Sequence, residues 1–170
     1  MEDRLIYESV FACLAKHRVR YLVAGGIAVV LHGWARFTKD LDLMLDLDDA
    51  DNVLRFIRAM ERLYFRPAVP VPFALLADPA SRGGWLKEKG ALVFHLYNEA
   101  DPLQRIDVFL SNPVDFKKAF QRRKTLKIGN IAIQVVSLKD LIEMKERAGR
   151  THDMEDLEML KYIRDRKNKK

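Results

Sequence analysis

The chain of 170 residues has a single cysteine, Cys13. An intrachain disulfide is therefore impossible, and a cysteine-based zinc site has no ligands to draw on. No apolar run approaches the roughly 18 residues that a membrane-spanning helix needs. The N-terminus MEDRLIYESV is acidic and amphipathic, without the basic start and apolar stretch of a signal peptide. A cytoplasmic location and no membrane partner are the expectation. Several chemical motifs are also missing. There is no GxGxxG and no P-loop lysine. The acids Asp46, Asp48, Asp49 and Asp51 lack the glycine and closing glutamate of a calcium loop. His17, His32, His95 and His152 share no metal-ligand spacing. Ser81 has no nucleophile-elbow context. Internal repeats are absent too.

What is present is an ordinary globular composition, 49% hydrophobic, with a net charge of +6. The charge is uneven. Residues 161–170 carry six Lys/Arg against one Asp, and residues 115–127 do the same, which leaves the rest mildly acidic. Two basic segments on an acidic body suit an anionic partner such as a nucleotide or RNA, or are simply solvated faces.

Periodicity predicts a helix over 2–17, with Leu5, Ile6, Tyr7, Val10, Phe11 and Leu14 as its apolar stripe. A strand follows over 19–24. Gly25-Gly26 breaks it, a short helix covers 27–32, and a strand covers 40–46. Asp48 is read as the cap of a helix over 49–63. Residues 64–90, with Pro67, Pro70, Pro72, Pro79 and Gly83-Gly84, read as irregular loop with one helical turn. Strands are expected over 91–97 and 104–110, and a helix opening at Asn112-Pro113. A hairpin should turn at Gly129-Asn130, Ser137 should cap a helix over 138–148, and a last helix should run over 151–166 with Thr151 as its cap. The class is α+β, a small mixed sheet flanked by helices with a helical C-terminus. One domain over 1–170 is expected, with 137–166 its C-terminal helical part and 167–170 a basic tail.

The chemistry concentrates in 21–45, YLVAGGIAVVLHGWARFTKDLDLML. Asp40 and Asp42 are two apart on a strand and leave the same face, while Leu41, Leu43 and Leu45 leave the other. Two adjacent carboxylates repel, and a hard divalent cation such as Mg²⁺ relieves that repulsion. Gly25-Gly26 lets backbone approach a phosphate closely, although a plain strand-to-helix turn explains the pair equally well. A third acid, Asp107, lies in the apolar strand 104–110, where an unpartnered charge is costly. His95, in an apolar strand, reads as a packing residue, and Trp34 and Trp85 as packing or base-stacking groups.

Gly25-Gly26, a spacer, and then Asp40-Leu41-Asp42-Leu43 resemble the DNA polymerase β-like nucleotidyltransferase superfamily. With Ala28, His32-Gly33, Arg36 and Thr38 the stretch is most similar to its small bacterial and archaeal branch, which includes toxin-type and antibiotic-modifying transferases. The resemblance implies the nucleotidyltransferase fold and Mg²⁺-dependent transfer of a nucleoside monophosphate from an NTP to a hydroxyl of a small molecule, tRNA or protein. It implies Asp40, Asp42 and Asp107 as catalytic metal ligands in a two-metal site. Gly25, Gly26, Arg36, Thr38 and Lys145 would face the nucleotide. Arg150-Thr151-His152-Asp153 with Asp156 is similar to the family's last helix start, and acids in a first helical turn explain it structurally as well. A non-catalytic nucleotide- or RNA-binding module, or a toxin–antitoxin component that kept the fold, is the alternative.

Overall fold

The computed structural model describes residues 6–169. Leu5, the expected helix start at residue 2 and Lys170 of the basic tail lie outside them. Helix α1 spans Glu8–Lys16. Strand β1 (Tyr21–Ala24) runs directly into α2 (Gly25–Leu31), so the helix begins on the two glycines rather than after them. Strand β2 is Leu41–Leu45 and α3 is Ala50–Arg62. The cap of α3 is Asp49, not Asp48: the Asp49 carboxylate accepts the Asn52 N–H, satisfying a donor left open in the first turn.

Residues 64–90 are the largest departure from expectation. They form strand β3 (Phe65–Pro67), a 3-10 turn (Phe73–Ala77) and an eleven-residue helix, α4 (Pro79–Lys89). The prolines occupy positions a proline tolerates. Pro67 ends a strand at the sheet edge, and Pro79 is the first residue of α4, where its missing N–H costs nothing. Asp78 caps that helix and Gly90, at φ +59°, ends it.

Strands β4 (Val93–Asn98) and β5 (Arg105–Phe109) follow. Helix α5 is Phe116–Gln121, capped by Asp115. It does not open at Asn112-Pro113, because the Asn112 amide donates to the Leu45 carbonyl at 2.8 Å instead of capping a helix. Strands β6 (Lys124–Ile128) and β7 (Ile131–Val135) make the expected hairpin around Gly129. Helix α6 (Leu138–Ala148) is capped by Ser137. A 3-10 turn (Thr151–Asp153) leads into α7 (Met154–Lys167), and Thr151 makes no side-chain capping bond.

The seven strands form one mixed sheet in the order β3-β4-β5-β2-β1-β7-β6. Strands β2 and β5 are parallel at its centre, as are β1 and β7. Leu41, Leu43 and Leu45 are fully buried, and so is Met44 on the opposite face, so β2 is covered by protein on both sides along most of its length. The exception is Asp42. Among the described residues no helix is long and apolar enough to cross a membrane.

One polar residue locks the sheet to α3. Asn52 is fully buried; its Oδ1 accepts the Arg20 N–H at 2.7 Å, and its Nδ2 donates to the carbonyls of Arg20 (3.0 Å) and Asp46 (3.4 Å). Asn52→Ala takes the partner from the Arg20 N–H and the Asp46 carbonyl and leaves the Arg20 carbonyl only the Asp46 N–H. Urea denaturation is expected to show a loss of about 2–4 kcal/mol.

Candidate active site

The site lies where β1, β2, β4 and β5 run side by side. Ala24 pairs with Asp42, Asp42 with Asp107, and Asp107 with His95. Residues in register share a face of the sheet. Asp42, Asp107 and His95 therefore form a row across three strands, and Asp40 adds a further carboxylate two residues before Asp42.

Gly25, at φ +61°, sits where β1 ends. A Cβ built on it would lie 1.9 Å from Asp42 Oδ2, so no side chain fits between this backbone and the carboxylate. A Cβ on Gly26 would lie 2.5 Å from Thr38 Oγ1. The glycine pair is thus needed for two close approaches, one to each wall of the site. The Gly26 N–H bonds the Asp42 carboxylate, so it is already engaged.

Burial, then the neighbouring Asp107 and Asp40, push the Asp42 carboxyl from 3.8 up to about 7, against the Gly26 hydrogen bond and Lys145. Asp107 is held from the next strand: His95 Nδ1 lies 2.6 Å from its Oδ1. His95 is exposed in the cleft and contacts Asp107, which corrects the reading of it as a packing residue. That reading followed the apolar neighbours in the strand, but the alternation of β4 turns His95 away from them.

Tyr7 was legible only as part of an apolar stripe. Its hydroxyl lies 2.5 Å from the Lys39 carbonyl and 2.8 Å from the Arg105 carbonyl, and accepts the Arg105 N–H at 3.2 Å. It ties together the entries to β2 and β5, one residue before Asp40 and two before Asp107. Trp85 stacks on Phe94 at 5.3 Å, and Trp34 packs against the core, so both serve packing.

Gly25, Gly26, Arg36, Thr38, Asp40, Asp42, Asp107 and Lys145 all line one cleft of about 970 Å³. Two of them are also ion-paired. Arg36 is ion-paired with Asp156. Lys145 is buried, with Nζ 2.5 Å from Asp153 Oδ1 and 2.9 Å from Asp156 Oδ2.

Among the described residues no three His, Cys, Asp or Glu side chains form a ready-made metal cluster. Mg²⁺ does not require one. It takes one or two carboxylates and completes its shell with water and substrate phosphate. Asp42 and Asp107 offer oxygen donors of the right hardness, and the Asp42 carboxyl, raised by burial and then by its acidic neighbours, is a charge that a cation would stabilise. These residues fit a hard divalent cation.

Residues 8–165 match the family described as "Nucleotidyltransferase of unknown function (DUF6036)". The chain belongs to this nucleotidyltransferase family. No curated protein matches the sequence significantly. Solved structures match at low identity. The lincosamide antibiotic adenylyltransferase LnuA, lincomycin-bound, aligns with a TM-score of 0.60 at 18% identity, over 96% of this chain and 98% of that one. ANT(2″)-Ia in complex with adenylyl-2″-tobramycin gives 0.56 at 13%, over 94% and 93%. An antigenic nucleotidyltransferase-like protein from Paracoccidioides brasiliensis gives 0.51 at 19%, over 89% and 72%. At such identities the structural likeness speaks for the fold, the polymerase β-like nucleotidyltransferase fold, which the sheet and the helical C-terminus share. The family match makes this nucleotidyltransferase an enzyme of that class.

Proposed function

We propose that the cleft transfers a nucleoside monophosphate from an NTP to a hydroxyl of an acceptor, with Mg²⁺ as the cofactor. The observation that carries this is the register of Asp42 and Asp107, with the Gly25 backbone pressed against the Asp42 carboxylate. A strand-to-helix junction that excludes every side chain but hydrogen beside two paired acids has little structural use and is what a phosphate–metal site needs.

The acceptor oxygen forms a bond to the α-phosphorus. The bond from that phosphorus to the bridging oxygen breaks, pyrophosphate leaves, and the hydroxyl proton passes to solvent. Asp40, Asp42 and Asp107 would hold the cation, which when bound supplies charge neutralisation at the phosphates and lowers the pKa of the attacking hydroxyl. Thr38, Arg36 and Lys145 line the part of the cleft where the triphosphate would lie and orient it. His95 fixes the Asp107 carboxylate from β4. No side chain acts as a nucleophile in this reading. Alignment and fixed charge supply the rate.

The acceptor is read as a small organic molecule. The cleft is of a size that encloses one, and its lining includes the apolar Leu86, Leu92, Val93 and Phe109, the last two beside the His95–Asp107 pair on the same sheet face. Two structural neighbours hold lincomycin and an adenylylated tobramycin. An RNA acceptor such as tRNA is the second reading. Lys124 of one basic segment lies near the end of α2, where its Nζ bonds the Leu31 carbonyl, and feels the charge of Lys167 from the other segment.

The test is incorporation of α-phosphate-labelled NTPs into lincomycin, tobramycin, total tRNA and protein, with and without Mg²⁺. Label transfer that requires Mg²⁺ and is lost in Asp107→Asn, by roughly 10²-fold or more, is the expected result. Absence of both transfer and NTP binding would leave the non-catalytic alternative standing.

A further inference from the structure

Four charged side chains outside the carboxylate row close one end of the cleft. Lys145, on α6, and Asp153, in the 3-10 turn, have side chains only 8% and 9% exposed; Asp156, in the first turn of α7, is 5% exposed. Arg36 comes from the connection between α2 and β2 and is partly covered. Asp156 Oδ2 is shared by the two cations, and Asp153 Oδ1 accepts a Lys145 N–H. Gly149, at φ +59°, ends α6 between Lys145 and Asp153 and folds the chain back so that these carboxylates meet the ammonium.

Such a network is a poor way to gain stability. Buried ion pairs roughly break even against apolar groups of the same volume. What it does achieve is direction. An ammonium has three N–H donors; one goes to Asp153, and the Asp156 carboxylate holds the charge from a second side at 2.9 Å, which restricts where the remaining donors point. Arg36 has donors left after Asp156. Both cations and Asp153 line the cleft, whereas Asp156 is not part of its lining.

We propose that Asp153 and Asp156 are positioning residues that hold Lys145 and Arg36 in the orientation that receives the triphosphate, making the start of α7 a part of the nucleotide site. This rests on the reading of the cleft as an NTP site. Asp156 does not touch substrate, and the Asp153 carboxylate, at the cleft lining, is engaged with Lys145. Each acts through the cation it holds, and the effect is independent of the base because it falls on phosphate.

The experiment measures binding of ATP, GTP, CTP, UTP and inorganic tripolyphosphate by calorimetry in the presence of Mg²⁺. The proteins are the wild type, Asp153→Asn, Asp156→Asn, Asp156→Glu and Lys145→Met, together with each Asn variant combined with Lys145→Met. Thermal melts confirm folding. The expected result is about tenfold or greater loss of affinity in the Asn variants, similar for tripolyphosphate and for the nucleotides that bind. Asp156→Glu should stay within about threefold of wild type. Asp153→Asn should cost almost nothing further once Lys145 is Met, and Asp156→Asn should then keep only the share it exerts through Arg36. If Asp156→Asn does not fold, Asp153→Asn, which leaves Asp156 on both cations, carries the test. Affinity within twofold of wild type in the folded Asn variants overturns the proposal. So does a loss in Asp153→Asn that persists undiminished in the Lys145→Met background, which would mark a structural role. If the wild type binds none of the probes, the nucleotidyl-transfer reading fails instead.

Discussion

Asp42→Asn is expected to abolish nucleotidyl transfer and at the same time to make the protein more stable at neutral and alkaline pH. The first half follows from the loss of a metal-binding oxygen and its charge, with an expected fall of at least about 10³-fold. The second follows from linkage. The Asp42 carboxyl is raised from 3.8 to about 7, by burial and then by Asp107 and Asp40. Below pH 3.8 both the folded and the unfolded chain hold the proton, and the group makes no difference. Between pH 3.8 and 7 the unfolded chain ionises while the folded one keeps its proton, so stability is lost as pH rises through this window. Above it the folded state carries the full cost, at most about 4 kcal/mol. Asparagine cannot ionise and keeps an oxygen for the Gly26 N–H. The variant should melt about 5 °C or more above wild type at pH 8 without metal, and the gap should close by pH 4. Mg²⁺ should narrow it at pH 8 by binding the wild type. Equal melting temperatures at pH 8 would mean that Asp42 is not strained, and the main argument for a cation there would go with it.

The second large effect is expected at Gly25. In Gly25→Ala the new methyl carbon meets Asp42 Oδ2 at 1.9 Å, and the backbone at φ +61° is itself unfavourable for alanine. The conformation alone costs about 1–2 kcal/mol. Relief of the clash must move Asp42 out of the row it forms with Asp107. The prediction is a loss of transfer of roughly 10²-fold or more, together with a melting temperature lower by several degrees. Gly26→Ala collides with Thr38 rather than with an acid. Its loss should be smaller, and Thr38→Ala should recover part of it. Gly83→Ala serves as the control. Gly83 lies within α4 with open space where a Cβ would go, and alanine there should raise stability by about 0.5–1 kcal/mol without touching activity. Comparable losses at Gly25 and Gly83 would sink the argument from close approach.

Both predictions turn on residues that the sequence marks directly. Asp40 and Asp42 on one strand face, the glycine pair ahead of them and the apolar flanks of Asp107 are local patterns, read within about ten residues. The hairpin at Gly129 and the Ser137 cap are legible for the same reason. Residues 64–90 were not, because prolines and glycines weigh as breakers when their positions within a helix are unknown. Pro79 at the first position of α4, behind the Asp78 cap, is a helix start rather than a loop. Asn112-Pro113 misled in the opposite sense: the pattern of a helix start is there, but the Leu45 carbonyl takes the asparagine amide.

The amino-acid sequence by itself determines the acid pair, the glycine turn, most of the elements and the nucleotidyltransferase family, since all of these reside in short-range spacing and in motif. The tertiary structure decides which groups meet across strands and helices. His95 reaches Asp107 because β4 and β5 pair in one register, and a shift of one residue would turn it to the other face. Tyr7 reaches the entries to β2 and β5 across 32 and 98 residues of chain. Arg36 finds Asp156 across 120 residues. Separations of that length leave no periodic trace, because the partners are brought together by the packing of whole elements rather than by any property of the residues between them.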